Sequence, residues 1–199
     1  MATTDVVVVT GFGPFSFYDE NPSSQVVDEL AAKKIPGFSG KLVTEKISVA
    51  YAEVEEKVRK LWALYSPKLV VHIGVHPEHH HIKFEQRSFG RGYCIYDVNG
   101  CVPADNVCPT SLEPILSTFI DCSELALKVT EELGYENIMI TASDNPGRYL
   151  CAYSFYISLS YDASRSLFIH VPPFDSTCTL EMVTTVIQRA ITIILNNLD

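Results

Sequence analysis

Mainly apolar runs rich in β-branched residues alternate with helix-forming segments along the whole chain. Residues 5–10, 68–75 and 166–171 are such runs, and an amphipathic, helix-compatible segment follows or precedes each. A short run that is apolar at nearly every position is typical of a strand buried on both faces. Repeated strand–helix alternation therefore predicts an α/β fold: a single-domain, three-layer α/β/α sandwich with a mainly parallel, mixed sheet.

The same patterns place the individual elements. Strands are expected at residues 5–10, 41–49, 68–75, 137–141 and 166–171, and helices at residues 21–35, 52–65, 123–133, 148–160 and 179–195. Residues 76–119 are predicted to form a hairpin-like excursion, with extended segments near 82–84 and 93–96. In a parallel sheet, sites gather beyond the carboxyl ends of the strands. We therefore expect residues 11–15, the segment from His76 onward and residues 143–151 to leave the sheet at one edge.

Bulk properties restrict the function. The chain has 199 residues, a length that suits one compact domain over residues 1–199. Its net charge of −9 argues against nucleic acid as a partner. No apolar run approaches the roughly 20 residues of a membrane span, and no basic amino-terminal region precedes the first apolar run. The six cysteines lack C-x-x-C spacing and are predicted to be reduced thiols in a cytoplasmic protein.

A cysteine and a histidine on consecutive elements form the strongest candidate for chemistry. Cys151 follows the turn Asn145-Pro146-Gly147 and falls in the first turns of a predicted helix, where the helix dipole favours thiolate over thiol. Backbone N–H groups there could also hold an oxyanion. His170 lies on the next predicted strand and can act as a base. Spacing alone leaves a catalytic pair and two structural residues equally open.

A third group should orient the imidazole. Glu85 lies on the extended segment after the third predicted strand, and Asp144 and Asp97 are its rivals. Composition does not choose among these three carboxylates.

Two further segments invite a functional interpretation. Residues 76–81, His-Pro-Glu-His-His-His, contain potential metal ligands, but adjacent histidines on a loop do not all face one ion, and we expect a polar loop and no metal. The loop Gly11-Phe12-Gly13-Pro14-Phe15 lacks the third glycine of a dinucleotide site, so we expect no cofactor. Its two phenylalanines suggest the apolar wall of a pocket, or packing beneath the loop.

Taken together, the motifs resemble those of the pyroglutamyl-peptidase I family, cysteine peptidases that remove an N-terminal pyroglutamate. The resemblance rests on Thr10-Gly11-Phe12-Gly13-Pro14-Phe15 with Asn21-Pro22-Ser23, on residues 69–75 and Glu85, on Asp144-Asn145-Pro146-Gly147-Arg148-Tyr149-Leu150-Cys151, and on Phe168-Ile169-His170-Val171-Pro172-Pro173. These segments occur in the family's order and cover nearly the whole chain. Residues 86–114 resemble the family weakly, and Gly90 stands where relatives carry Asn.

The resemblance implies a thiol peptidase that cleaves after an N-terminal pyroglutamyl residue through a thioester. It assigns Cys151 as nucleophile, His170 as base and later acid, and Glu85 as the orienting carboxylate, and it gives Phe12 and Phe15 to the pyrrolidone ring. Pyroglutamyl peptides are then the substrate partners. The alternatives are a weakly active or silent homologue that only binds pyroglutamyl ends, and a metal-dependent hydrolase using residues 79–81. The sequence leaves monomer and homo-oligomer open.

Overall fold

A six-stranded mixed sheet forms the centre of the protein in the computed structural model, which describes residues 5–16, 19–110 and 113–198. Its strand order is β2-β1-β3-β8-β4-β7, and β5 and β6 form a separate two-stranded sheet. The strands are β1 (Val6–Phe12), β2 (Lys41–Ile47), β3 (Leu69–Val75), β4 (His81–Glu85), β5 (Arg87–Phe89), β6 (Ile115–Ser117), β7 (Met139–Ser143) and β8 (Ser166–Val171).

Helices cover both faces of the main sheet, as the α/β/α prediction requires. They are α1 (Pro22–Lys33), α2 (Tyr51–Tyr65), α3 (Cys122–Leu133), α4 (Leu150–Tyr161) and α5 (Leu180–Asn197). Apolar side chains of α1, α3 and α5 share one core with one face of the sheet, and those of α2 and α4 share a second core with the other face. The α/β prediction is confirmed. Among the described residues, no helix is both long enough and apolar enough to cross a membrane.

Local sequence signals account for the helix boundaries. The Asn21 side chain accepts the Ser23 N–H at the start of α1, and Pro22 occupies the first helical position, where it has no N–H to leave unpaired. Asp121 caps α3 in the same way, and Gly134 ends that helix in the left-handed conformation at φ 62°. These ends therefore lie close to their predicted positions.

The expectation that three loops leave one edge of the sheet is wrong for the loop after β7. Strands β1, β2, β3 and β8 are mutually parallel, but β4 is antiparallel to β8 and β7 is parallel to β4. The chain turns back directly after β3 and enters the sheet as β4, so β4 and β7 run in the reverse direction. Residues 144–149 must therefore return along the sheet before α4 begins.

The excursion between β3 and α3 differs in part from its prediction. Residues 82–84 belong to β4, an inner strand of the main sheet, whereas residues 93–96 form no strand. The hairpin-like part is the antiparallel pairing of β5 with β6. This small sheet packs on α4: Ser88 Oγ donates to the Ala152 carbonyl at 2.6 Å, and Tyr93 meets Tyr153 edge to face. Because α4 has the sheet on one side and this excursion on another, nearly all of its residues are buried.

Candidate active site

The amino-terminal turn of α4 presents Cys151 with unpaired backbone donors around it. Cys151 is the second residue of α4, and the residue before the helix, Tyr149, makes no side-chain cap. The N–H groups of the first turn of a helix have no partner within the helix. The half-buried Cys151 thiol therefore lies where N–H groups and the positive end of the helix dipole favour negative charge.

Gly74 on β3 makes room for the sulfur. A Cβ atom at Gly74 would lie 2.7 Å from Cys151 Sγ and 2.8 Å from Phe168 Cζ, closer than real carbon atoms approach. Gly74 also pairs with His170 across β3 and β8. The missing side chain at Gly74 thus lets α4 bring its sulfur down onto the sheet beside the imidazole.

His170 and Glu85 form a buried hydrogen-bonded pair. His170 Nδ1 lies 2.7 Å from Glu85 Oε1, and the two residues are 7% and 0% exposed. Glu85 Oε2 has no partner among the described residues. Because an ionised carboxylate accepts only, Nδ1 is the donor, and the remaining ring nitrogen, Nε2, is left to interact with the Cys151 thiol.

The electrostatics of the pair favour a charged imidazole. Burial by itself disfavours the imidazolium, but the interactions with Cys151 and with the Glu85 carboxylate outweigh it and raise the pKa of His170 to about 9. At neutral pH, His170 is therefore protonated beside a sulfur that can carry the compensating negative charge.

The two rival carboxylates have other partners. Asp97 is buried, and its oxygens accept the N–H groups of Tyr51, Asn99 and Cys101. Asp144 is exposed and accepts from Arg87 Nε at 2.8 Å. Of the three carboxylates, Glu85 is the one that the fold brings to His170.

Phe12 and Phe15 line a cleft that reaches Cys151. The cleft contains about 240 Å³ free of protein atoms, counted to its open mouth. Its walls are Phe12, Phe15, Asn21, Val49, Val75, Tyr149, Leu150 and Cys151. The walls are mostly apolar, as suits a ligand with two flat apolar faces.

The loop that carries the two phenylalanines is braced from α1. Ser23 Oγ accepts the Phe12 N–H at 2.9 Å, and Asn21 Nδ2 donates to the Gly13 carbonyl at 3.0 Å. Asn21 Oδ1 also accepts from the Ser23 hydroxyl. Two side chains of the Asn-Pro-Ser segment thereby fix the course of the loop, a role that goes beyond capping the helix.

A roomier cleft lies elsewhere. It has about 470 Å³ and is lined by residues of α3 and α5 together with Phe119, Ile120, Asp121, Ser164 and Leu198. Among the described residues, no cysteine or histidine lines it, so size alone does not identify the site. The smaller cleft has the Cys151 thiol in its wall, and His170 lies beside that thiol.

The histidine-rich loop is engaged in hydrogen bonds. His80 Nε2 lies 2.6 Å from Asp175 Oδ2, and His81 contacts Glu78 and Thr141. Among the residues that the structure describes, no group of three or more His, Cys, Asp or Glu side chains could hold a metal ion.

Comparison with known proteins decides the family. Residues 1–175 match the family model described as "Putative pyroglutamyl peptidase PgaPase_1". The chain is also 36% identical over 167 residues to human pyroglutamyl-peptidase 1, covering 84% of this chain and 78% of the relative. The chain belongs to the pyroglutamyl-peptidase I family.

The chain is also similar to other members of the pyroglutamyl-peptidase I family. The pyrrolidone-carboxylate peptidase of Pyrococcus furiosus is 26% identical over 174 residues, with 83% of this chain and 80% of that one covered. A crystal structure of the Pyrococcus furiosus pyrrolidone carboxyl peptidase superposes with a TM-score of 0.85 over 98% of this chain and 100% of that one, at 23% identity. The enzyme from Thermococcus litoralis gives a TM-score of 0.81 over 98% and 94%, at 21% identity. These two structures show the shared fold.

Sequence reasoning misses several residues of the site. Gly74 has a readable signal, because a glycine inside a buried apolar strand often marks the close approach of another group. For Asn21 and Ser23, the sequence indicates a helix start and a match to the family, and neither signal predicts their hydrogen bonds to the loop. Val49 and Tyr149 carry no signal, since their place in the cleft depends on the tertiary fold.

Proposed function

We propose that Cys151, His170 and Glu85 form the catalytic triad with which this protein hydrolyses the bond after an N-terminal pyroglutamyl residue. One observation carries the assignment. The Cys151 sulfur lies at an uncapped helix start and at the end of an apolar cleft, beside an imidazole whose far nitrogen is held by a buried carboxylate. This is the nucleophile–base–orienting-group arrangement of acyl transfer.

The first half of the reaction forms a thioester. The Cys151 thiolate attacks the carbonyl carbon of the pyroglutamyl group, and the N–H groups of the first turn of α4 hold the oxyanion. The His170 imidazolium then donates its Nε2 proton to the departing amine nitrogen. The C–N bond breaks, and the pyroglutamyl group remains on the Cys151 sulfur.

The second half regenerates the enzyme. Neutral His170 accepts a proton from water, whose oxygen attacks the thioester carbonyl, and the C–S bond breaks to release pyroglutamate. The Cys151 thiolate and the His170 imidazolium are restored. Glu85 holds the ring orientation and stabilises the imidazolium in both halves.

Phe12 and Phe15 are proposed to bind the two faces of the pyrrolidone ring. Phe12 is buried and fixed by the Ser23 brace, whereas Phe15 is half-exposed. The centre of a water molecule has about 20 Å³ of the cleft open to it, which is room for about one water molecule. Ring binding therefore requires the Phe15 side of the loop to move outward while the Phe12 side stays in place.

The experiment is an arylamide assay on matched cysteine variants. A pyroglutamyl arylamide is offered to wild type, to Cys151→Ala and to Cys94→Ser, an exposed thiol outside the cleft. We expect Cys151→Ala to lose several orders of magnitude in kcat and Cys94→Ser to match wild type. Iodoacetamide should abolish turnover in wild type. A folded wild type that binds pyroglutamate but releases no arylamine would instead be the silent binding homologue.

The setting of the enzyme is also a proposal. All six cysteines are free thiols, which supports a reducing, cytoplasmic location. We propose that residues 1–199 act as a single peptidase domain on peptide substrates, as a monomer or a homo-oligomer.

A further inference from the structure

His76 is the first residue after β3, and it lies directly against the imidazole of the proposed triad. Its ring centroid is 5.7 Å from that of His170, and the planes cross at 79°. Aromatic rings prefer such an edge-to-face arrangement when their centroids are about 4.5–7 Å apart. The cleft lining does not include His76, so its contact is with the imidazole rather than with the proposed ring pocket.

Two hydrogen bonds fix the His76 ring in one orientation and one tautomer. The Glu78 N–H donates to His76 Nδ1 at 3.2 Å, so Nδ1 carries no proton. His76 Nε2 lies 2.7 Å from the His81 carbonyl oxygen, which can only accept, so Nε2 carries the proton. The ring is therefore neutral and held at both nitrogens by the backbone of its own loop.

The surroundings keep His76 neutral. Burial is the main cause that lowers its pKa to about 4; the His81 carbonyl opposes it, and the charges of His170 and Lys83 reinforce it. Glu78, the other charged group nearby, forms an ion pair with Lys83 at 2.9 Å and acts weakly in the opposite direction. At neutral pH the His170 imidazolium thus faces an uncharged ring.

His76 completes the set of contacts around His170. Phe168 lies on the same strand with its ring centroid 4.8 Å from the imidazole, and Glu85 holds Nδ1. Without the ring of His76, the imidazole would keep its hydrogen bond to Glu85. Of the two aromatic rings that pack against it among the described residues, only Phe168 would remain. Rotation of the imidazole about that hydrogen bond would then carry Nε2 away from the Cys151 sulfur.

We propose that His76 is a positioning residue for the reaction: its neutral ring, packed edge to face against the His170 imidazole, holds that imidazole in the orientation that pairs with Cys151. This inference rests on the proposed function, because it gives His170 the role of acid and base. It assigns the first residue of the histidine-rich loop to catalysis without a metal.

The test compares two apolar substitutions of similar bulk. His76→Phe keeps a flat ring and removes both hydrogen bonds, whereas His76→Leu fills the space without a ring. His79→Leu is the control, since His79 is exposed in the same loop. Circular dichroism and Tm show that each variant is folded at the assay temperature.

The first readout is alkylation of Cys151 by iodoacetamide, followed by mass analysis of the Cys151 peptide, which requires no turnover. In His76→Leu the rate at about pH 6 should fall about tenfold, less than the hundredfold that a 1 Å displacement of a catalytic group costs. The rate at about pH 10 should match wild type, because His170 is uncharged above its pKa of about 9 and no longer pairs with the sulfur as a cation. A merely structural role would change both rates together or neither.

The second readout is arylamide turnover. We expect kcat of His76→Leu to fall about tenfold with KM within about twofold, while His76→Phe and His79→Leu stay within about threefold of wild type. The proposal is overturned if His76→Leu keeps the wild-type alkylation rate at low pH, if His76→Phe is as slow as His76→Leu, or if His79→Leu loses as much. A wild type that turns over no arylamide would contradict the proposed function, and the alkylation rates would still judge His76.

Discussion

Adding one methyl group at Gly74 is a direct test of how tightly the nucleophile is packed. The Cβ atom of Gly74→Ala would lie 2.7 Å from Cys151 Sγ, and ordinary contact begins at 3.4 Å, so the sulfur must recede by about 0.7 Å. The same atom would lie 2.8 Å from Phe168 Cζ, and the Phe168 ring packs against the His170 imidazole. The substitution therefore displaces both the Cys151 sulfur and the Phe168 ring that packs against His170.

The size of the effect follows from these distances. Misplacement of a catalytic group by 1 Å can cost about a hundredfold in rate, so a shift near 0.7 Å should lower kcat by roughly 25-fold. Overpacking a core of this kind costs about 1–3 kcal/mol of unfolding free energy. For a chain of this length, that corresponds to a Tm lower by roughly 3–10 °C.

The assay pairs pyroglutamyl arylamide kinetics with thermal unfolding, and Gly37→Ala is the matched control. Gly37 has φ +76°, and no atom lies within 4 Å of the position that its Cβ would take, so Ala there costs about 1 kcal/mol through its backbone alone. Its kcat should equal that of wild type. A Gly74→Ala enzyme with kcat within threefold of wild type would refute the steric reasoning, as would an equal loss of kcat in Gly37→Ala.

Outcomes are also expected for three further substitutions. Glu85→Gln removes an anionic neighbour of His170, so the pKa of His170 should fall from about 9. The alkaline limb of the kcat/KM profile should therefore move to lower pH, and an unmoved limb would contradict the pairing of Glu85 with His170. The raised pKa of His170 stabilises the native state fully below pH 6.5, the pKa of an unfolded histidine, and this stabilisation is lost as pH rises towards 9. Between pH 6.5 and 9, Tm of wild type should therefore fall more steeply than Tm of Glu85→Gln. Asn21→Ala frees the Gly13 carbonyl and loosens the loop, which should raise KM several-fold and lower Tm by a few degrees, and an unchanged KM would argue against the brace. Ser158→Ala leaves Trp62 Nε1 and His72 Nε2 without their buried partner and should cost about 2–4 kcal/mol in denaturant unfolding with kcat nearly unchanged; a cost below 1 kcal/mol would show that the two groups find other partners.

Local patterns are sufficient for much of the fold. The apolar run at residues 5–10 predicts a strand because it is apolar at nearly every position, as a strand buried on both faces requires. The Asn-Pro pair predicts the start of α1 because Asn caps a helix and Pro suits its first position. The direction of β7 is a different kind of property. The direction of β7 depends on β4 entering the sheet beside β8, and the sequence of β7 does not indicate with which strand β7 will pair.

The proposed triad shows the same division. Cys151 at a helix start and His170 on a strand follow from local sequence, whereas the contact between them depends on the close approach that Gly74 permits. The choice of Glu85 over Asp97 comes from family resemblance. The physical basis of that choice lies in the tertiary structure. Asp97 accepts three backbone N–H groups, and these reach it only when the excursion between β3 and α3 is folded.

The orientation of Glu85 is set by residues on the opposite face of the sheet. In the antiparallel pairing of β4 with β8, Lys83 faces His170 and Glu85 faces Phe168, so the carboxylate shares the face of the imidazole. Ile82 and Phe84 point the other way and are fully buried in the core beneath α1, α3 and α5. A slip of one residue would exchange the two faces, placing Glu85 in that core and removing it from His170. The cost of burying an unpaired carboxylate in that core holds the register. Substitutions at Ile82 or Phe84 that shift the register should therefore lower the pKa of His170, even though their side chains lie on the far face.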